Sequence, residues 1–229
     1  MTEANFSSTD NPDWLGGIRS LLATMMEETG IDALLVPARL AVKNRIMPTL
    51  VSDPKRLDQA DPLSPAFPVN AAQQLAKLTR MPSGGRLAAV LRPCELRAFN
   101  ELVKLNQGKR ESLIIVGIDC PGALSNNDFR TFVDRHDTAD AATRAFCRRA
   151  FGGAADPAPL PIASACRACE HPVPTGADIV IELFGSDPDS LNVRAHSDPG
   201  RSVLAQRGLP QEGKAPADRK TVLAELKDQ

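Results

Sequence analysis

The chain has 229 residues, 42% hydrophobic and 24% charged, with a formal net charge of −1, the profile of a globular protein with one sizeable core. That balance excludes an electrostatic case for nucleic acid or an anionic membrane surface, and 4% aromatics with no tyrosine argue against base-stacking platforms. No apolar run approaches the roughly 20 residues of a bilayer span. The acidic, polar opening "MTEANFSSTDNPDW" lacks a signal peptide's layout, so a cytoplasmic chain with reduced thiols is expected.

Asn11-Pro12 opens an amphipathic helix in which Trp14, Ile18, Leu21, Leu22, Met25 and Met26 recur at helical spacing, and Gly30 is its natural stop. "IDALLVPAR" reads as a strand, "NRIMPTLVSDP" as a weaker one, and the proline- and aspartate-rich residues 52–68 as irregular chain. Helical pattern resumes in "VNAAQQLAKLTR", with Asn70 as N-cap. Next comes a strand (86–93), then a helix (94–107) with Leu96, Phe99, Leu102, Val103 and Leu105 on one side, then a second apolar strand (112–119). Strand, helix and strand in so few residues predict a right-handed βαβ unit with parallel strands. "NNDFRTFVDRH" and "TADAATRAFCRRAF" read as helices and "ADIVIELFG" as a strand. From about residue 185 the chain turns loop-rich, with one weak strand, "LNVRA", and a charged tail. The expected architecture is α/β, a mainly parallel sheet with flanking helices. One domain spans residues 1–185 and a loop-rich extension 186–229. Gly84-Gly85 precedes a strand rather than following one, so it is a turn and not a dinucleotide fingerprint.

The chemistry concentrates in cysteines. Five is an odd number, which argues against a disulfide framework, and Cys166 and Cys169 form a C-x-x-C. Cys94 follows the first strand of the βαβ unit and Cys120 the second, so both thiols emerge at the carboxyl edge, where open α/β sheets place their ligands. Each is expected near a helix start, which favours a thiolate. Four thiolates suit a 4Fe-4S cluster or a four-cysteine zinc site. Cys147, inside a helix beside Phe146, is assigned to packing. Arg92 and Arg97 flank Cys94, and Arg167 sits inside the C-x-x-C; cations beside cluster sulfurs stabilise the reduced state. The ligands also spread over 76 positions rather than forming two close knuckles, which favours iron over zinc. Glu95 and Asp119, each beside a cysteine, read as caps or arginine partners, and His171 as a turn residue.

"LRPCELRAFNELVKLNQ", "IIVGIDCPG" and "ACRACEHPVPTGADIVIELFG", in that order and spacing, resemble the beta subunit of the coenzyme F-420 hydrogenase/dehydrogenase family over residues 86–185. "DPLSPAFPVNAAQQLAKL" looks like the iron–sulfur oxidoreductase branch of that family. The resemblance implies one 4Fe-4S cluster on Cys94, Cys120, Cys166 and Cys169 and a non-covalent FAD. It also implies a place between other subunits of a redox complex and a soluble electron carrier. The partner complex would be of the hydrogenase, formate dehydrogenase or heterodisulfide-reductase type. Candidate flavin contacts are Lys43, Asn44, Asn70 and Arg92; Arg97 and Arg167 would act behind the ligands. The family's glycine-rich N-terminal segment is not evident, and the chain ends about 60 residues after the C-x-x-C, as a shortened member would. Two rival readings are a zinc-stabilised interaction module without redox activity and a thiol–disulfide oxidoreductase using Cys166 and Cys169 alone.

Overall fold

The computed structural model describes residues 14–41, 45–67, 69–80, 85–151, 160–187, 190–206, 209 and 216–226. Within them lie six strands: β1 (Ile31–Leu40), β2 (Arg45–Val51), β3 (Arg86–Leu91), β4 (Leu113–Ile118), β5 (Ile179–Glu182) and β6 (Asn192–Ala195). They form a single sheet in the order β2-β1-β3-β4-β5-β6. The inner four are parallel to their neighbours, and β2 and β6 close the edges antiparallel. The inner strands β3, β4 and β5 are almost uninterrupted runs of buried residues, as a parallel sheet covered on both faces requires.

The helices divide between the two faces. α1 (Trp14–Glu28), α4 (Asn126–Val133), α5 (Ala139–Phe151) and α7 (Asp198–Leu204) pack on the face that carries Leu34, Val36, Val90, Ile114, Val116, Ile118, Ile179 and Ile181. α2 (Ala72–Arg80) and α3 (Pro93–Lys104) cover Leu35, Leu87, Ala89, Leu91, Leu113, Ile115 and Val180 on the other. Odd and even strand positions thus separate into two cores, the period-2 alternation of a pleated sheet. Cys147 is buried in the first core, consistent with packing.

The expected start of α1 at Asn11-Pro12 lies outside the described residues; Gly30 ends the helix at φ +66°. Asn70 sits one residue before the expected cap position: the Ala71 carbonyl accepts the first bond of α2, from the Leu75 N–H at 2.9 Å, while Asn70 Oδ1 accepts from the Ala72 N–H at 2.9 Å in the turn ahead of it. Three further local expectations fail. Residues 52–68 are not wholly irregular, because Pro54–Gln59 form a 3-10 turn capped by Asp53. Leu105 is 65% exposed, because α3 ends at Lys104 and the chain turns left-handed at Asn106. Residues 186–229 hold more than one strand: α7 and α8 (Arg219–Glu225) form there, and β6 pairs with β5. Arg219 on α8 is buried and donates through Nη1 and Nη2 to the Asp119 carboxylate.

Candidate metal centre

The β3–β4 register pairs Leu91 with Gly117. Cys94 and Cys120 each lie three residues further on, so the parallel strands deliver both to equivalent points at the carboxyl edge. Cys94 is the second residue of α3, at the helix start where it was expected. Cys120 departs from expectation, since no helix starts at it. Instead the Gly122 backbone N–H supports its sulfur.

The C-x-x-C reaches the same edge through a change of face. The chain leaves β4 and runs through α4 and α5 on one face. It regains the carboxyl edge where Leu124 bridges Ile162 and the Ala163 N–H donates to Ala123 O at 2.8 Å. There α6 (Ser164–Arg167), a single short turn, carries Cys166, and Cys169 follows it. The Cys120 N–H donates to Pro172 O at 2.9 Å, which fastens the segment across the end of β4. Beyond it the chain descends the opposite face. A Cβ on Gly117 would lie 2.5 Å from Pro174 Cβ and 2.8 Å from Ala177 Cβ, and Ala177 belongs to the α2–α3 core. The β4-to-β5 connection therefore returns on the same face as the β3-to-β4 one, and the two have the same hand. Crossing between faces brings the C-x-x-C over the edge. Gly122, at φ +102°, permits the closest approach, since a side chain there would meet Ile162 at 2.9 Å and Cys166 Cβ at 3.3 Å.

The other cysteines act on the Cys94 and Cys120 thiols. Cys94 keeps solvent contact on one side, yet burial pushes its thiol up to about 12; Cys120, Glu95 and Cys166 add to the rise and Arg92 opposes it. Cys120 is also raised, by burial first and then by Cys166 and Cys169, against Arg92 and the Gly122 N–H. Cys166 is half-buried and Cys169 exposed. Among the described residues no group of three or more His, Cys, Asp or Glu side chains is placed to hold a metal ion.

Arg92 lies behind these thiols. It is 6% exposed, its Nη2 donates to Ser64 O at 2.5 Å, and its guanidinium stands 5.3 Å from the centre of the Phe67 ring. Its Nη1 is buried without a hydrogen-bond partner. The Ser64–Phe67 segment that receives it lies in the stretch expected to be irregular, and nothing in its composition signals the role. Ser64 is held in turn by Asp61, which is buried against Arg39 and Thr143. Arg39 and Arg19 both engage Asp140, Arg19 through two bonds of 2.9 and 3.0 Å.

A set of four thiols with a buried, unsatisfied cation behind it fits an anionic thiolate-held centre. The flavin candidates fit less well. Lys43 and Asn44 lie outside the described residues. Asn70 spends its carbonyl oxygen on α2, and Arg92 is sealed behind Phe67 and Ser64. Arg97 and Arg167 are exposed, and Arg97 lines a cleft of about 640 Å³ that runs from Cys94 along α3 past Asn100 and Lys104 to Arg110. Glu95 is structural, accepting the Ala71 and Arg92 N–H groups at 3.0 Å each, and Asp119 accepts those of Leu183 and Phe184 at 2.9 and 3.2 Å. His171 is an exposed residue.

These features define a mostly parallel α/β protein whose sheet carries Cys94 and Cys120 at its carboxyl edge, with the Cys166–Cys169 segment fastened across the end of β4. No protein-family model matches the chain. Over 110 residues it is 24% identical to the F420-dependent formate dehydrogenase subunit beta of Methanocaldococcus jannaschii, a match taking in 48% of this chain and 28% of that subunit. Its fold is similar to that of a chain of the xenon-derivatised F420-reducing [NiFe] hydrogenase complex from Methanosarcina barkeri. That likeness has a TM-score of 0.64 at 12% identity, over 95% of this chain and 83% of that one. The first is a likeness in sequence over part of the chain, the second a likeness in fold over nearly all of it.

Proposed function

We propose that the chain is an electron-transfer subunit of an oxidoreductase complex, with Cys94, Cys120, Cys166 and Cys169 as ligands of a 4Fe-4S cluster. The observation that carries this reading is that Cys94 and Cys120 follow paired strand ends, with the C-x-x-C segment fastened across the same edge by the Cys120–Pro172 hydrogen bond, in front of a buried cation. Zinc would hold its sulfurs about 3.8 Å apart, given a Zn–S distance of about 2.3 Å. A cluster accepts a wider frame of thiols, and a centre of net charge about −2 or −3 gives Arg92 a counter-charge. The relatives' roles in formate dehydrogenase and hydrogenase complexes support a partner of that kind.

When bound, a cluster supplies one-electron exchange, and the chain's residues provide its surroundings. The Gly122 N–H donates toward Cys120, Cys94 stands in the first turn of α3, and exposed Cys94 and Cys169 leave one side open to a redox partner. A second carrier, FAD or a soluble two-electron carrier, completes the reading by pairing single electrons. Lys43, Asn44 and Asn70 remain its proposed contacts.

The test is anaerobic reconstitution of the full chain with ferrous iron and sulfide, followed by a visible spectrum and iron, zinc and flavin quantitation. The expected product is brown, holds about four irons, and loses them when either Cys94 or Cys120 is replaced by serine. A colourless chain holding one zinc would establish the interaction-module reading instead. Dithiol activity that survives both replacements would establish the thiol–disulfide reading.

A further inference from the structure

Burying an arginine without an anion is expensive, and proteins avoid it unless a counter-charge is present. Arg92 is such a case. No ion pair among the described residues engages it. Glu95, its nearest acidic neighbour in sequence, spends its carboxylate on the backbone N–H groups of Ala71 and Arg92 itself. One nitrogen of the guanidinium is satisfied by a neutral carbonyl and another by nothing. Phe67 covers the group and Ser64 anchors it, so the charge cannot swing to solvent as a surface arginine would. Arg92 is the N-cap residue of α3, two positions before Cys94 and at the same carboxyl edge of the sheet as Cys120, so a centre held by those sulfurs is the anion placed to answer its charge.

We infer that Arg92 is the fixed counter-cation of the centre held by the four cysteines, a positioning residue that balances its negative charge and sets its reduction potential. The inference rests on the cluster reading and assigns Arg92 to the cluster side rather than to flavin phosphates. Adding one electron makes the centre more negative by one charge. A fixed cation stabilises the reduced form more than the oxidised form and so raises the potential. Arg97 and Arg167 are screened by water and contribute less.

The experiment compares wild type, Arg92→Gln and Arg92→Lys as full chains reconstituted with ferrous iron and sulfide. It reads the cluster's potential by titration and the melting of each metal-free chain. For Arg92→Gln, the ratio of reduced to oxidised centre at a fixed potential is expected to fall at least tenfold, which is about 59 mV for one electron. Arg92→Lys should stay within about threefold of wild type. The metal-free Arg92→Gln chain should melt no lower than metal-free wild type, because it sheds an uncompensated buried charge. A merely structural arginine predicts lower melting and an unchanged potential. An unchanged potential in Arg92→Gln, a lysine variant that falls as far as the glutamine one, or a metal-free glutamine variant that does not fold would each overturn the inference alone. A wild-type chain that takes up no iron would overturn the cluster reading and the inference with it.

Discussion

Gly117 couples the sheet to the cysteine segment, and its replacement by alanine measures that coupling. The added methyl would sit 2.5 Å from Pro174 Cβ, 2.7 Å from Pro174 Cγ and 2.8 Å from Ala177 Cβ. None of these atoms is the far end of a flexible side chain. Two belong to a proline ring and the third to an alanine in the α2–α3 core. Relief must come from moving the 172–177 segment, at the upper end of the cost of overpacking, about 3 kcal/mol. For a chain of this size that lowers the thermal midpoint by roughly 6–12 °C. The same movement strains the Cys120–Pro172 hydrogen bond, so iron uptake should fall alongside stability. Gly17→Ala is the control, because its methyl would meet Leu191 only at 3.6 Å and it gains helix propensity inside α1. Thermal melts and iron quantitation of the two variants read the difference. A Gly117→Ala chain melting within a degree of wild type with undiminished iron would refute the reasoning.

Replacing Arg219 by methionine leaves Asp119 buried and without its guanidinium. The expected loss is about 3–5 kcal/mol in urea denaturation, and adding Asp119→Asn should recover part of it. Burial draws the Asp140 carboxyl upward, but Arg19 and Arg39 outweigh it and hold the group down at about 2. Folding lowers this group's affinity for protons, so its contribution is complete above pH 4 and lost as the pH falls toward 2; Asp140→Asn should flatten acid unfolding in that window. In the metal-free chain the Cys94 thiol, pushed up to about 12, should alkylate at pH 8 at least tenfold more slowly than free cysteine, as peptide mapping after iodoacetamide would show.

The helix and strand pattern from residue 86 to residue 182 was legible because buried parallel strands and amphipathic helices write their periods directly into apolar residues. Cys94 and Cys120 could be placed at one edge because parallel pairing obliges it. The C-x-x-C was harder to place. Its arrival at that edge depends on the chain changing faces, which follows from which side α4 and α5 pack on, and periodicity carries no such information. Gly117 did offer a signal, a glycine inside an otherwise β-branched run, the mark of a close backbone approach. The pairing of Arg219 with Asp119 spans 100 positions and had no local trace. Helices α7 and α8 are only seven residues each, too short for a periodic pattern to stand out from loop. The Ser64–Phe67 cradle is set by tertiary contacts of a proline-rich stretch whose composition reads only as a turn.

The α6 turn contributes no buried residue, and both hydrophobic cores close without Cys94, Cys120, Cys166 or Cys169. Architecture and cofactor chemistry are thus separable here, unlike in small metal modules whose ion is their core. If the proposed cluster is held there, its iron enters a scaffold that is already folded, and the chain without iron keeps both cores.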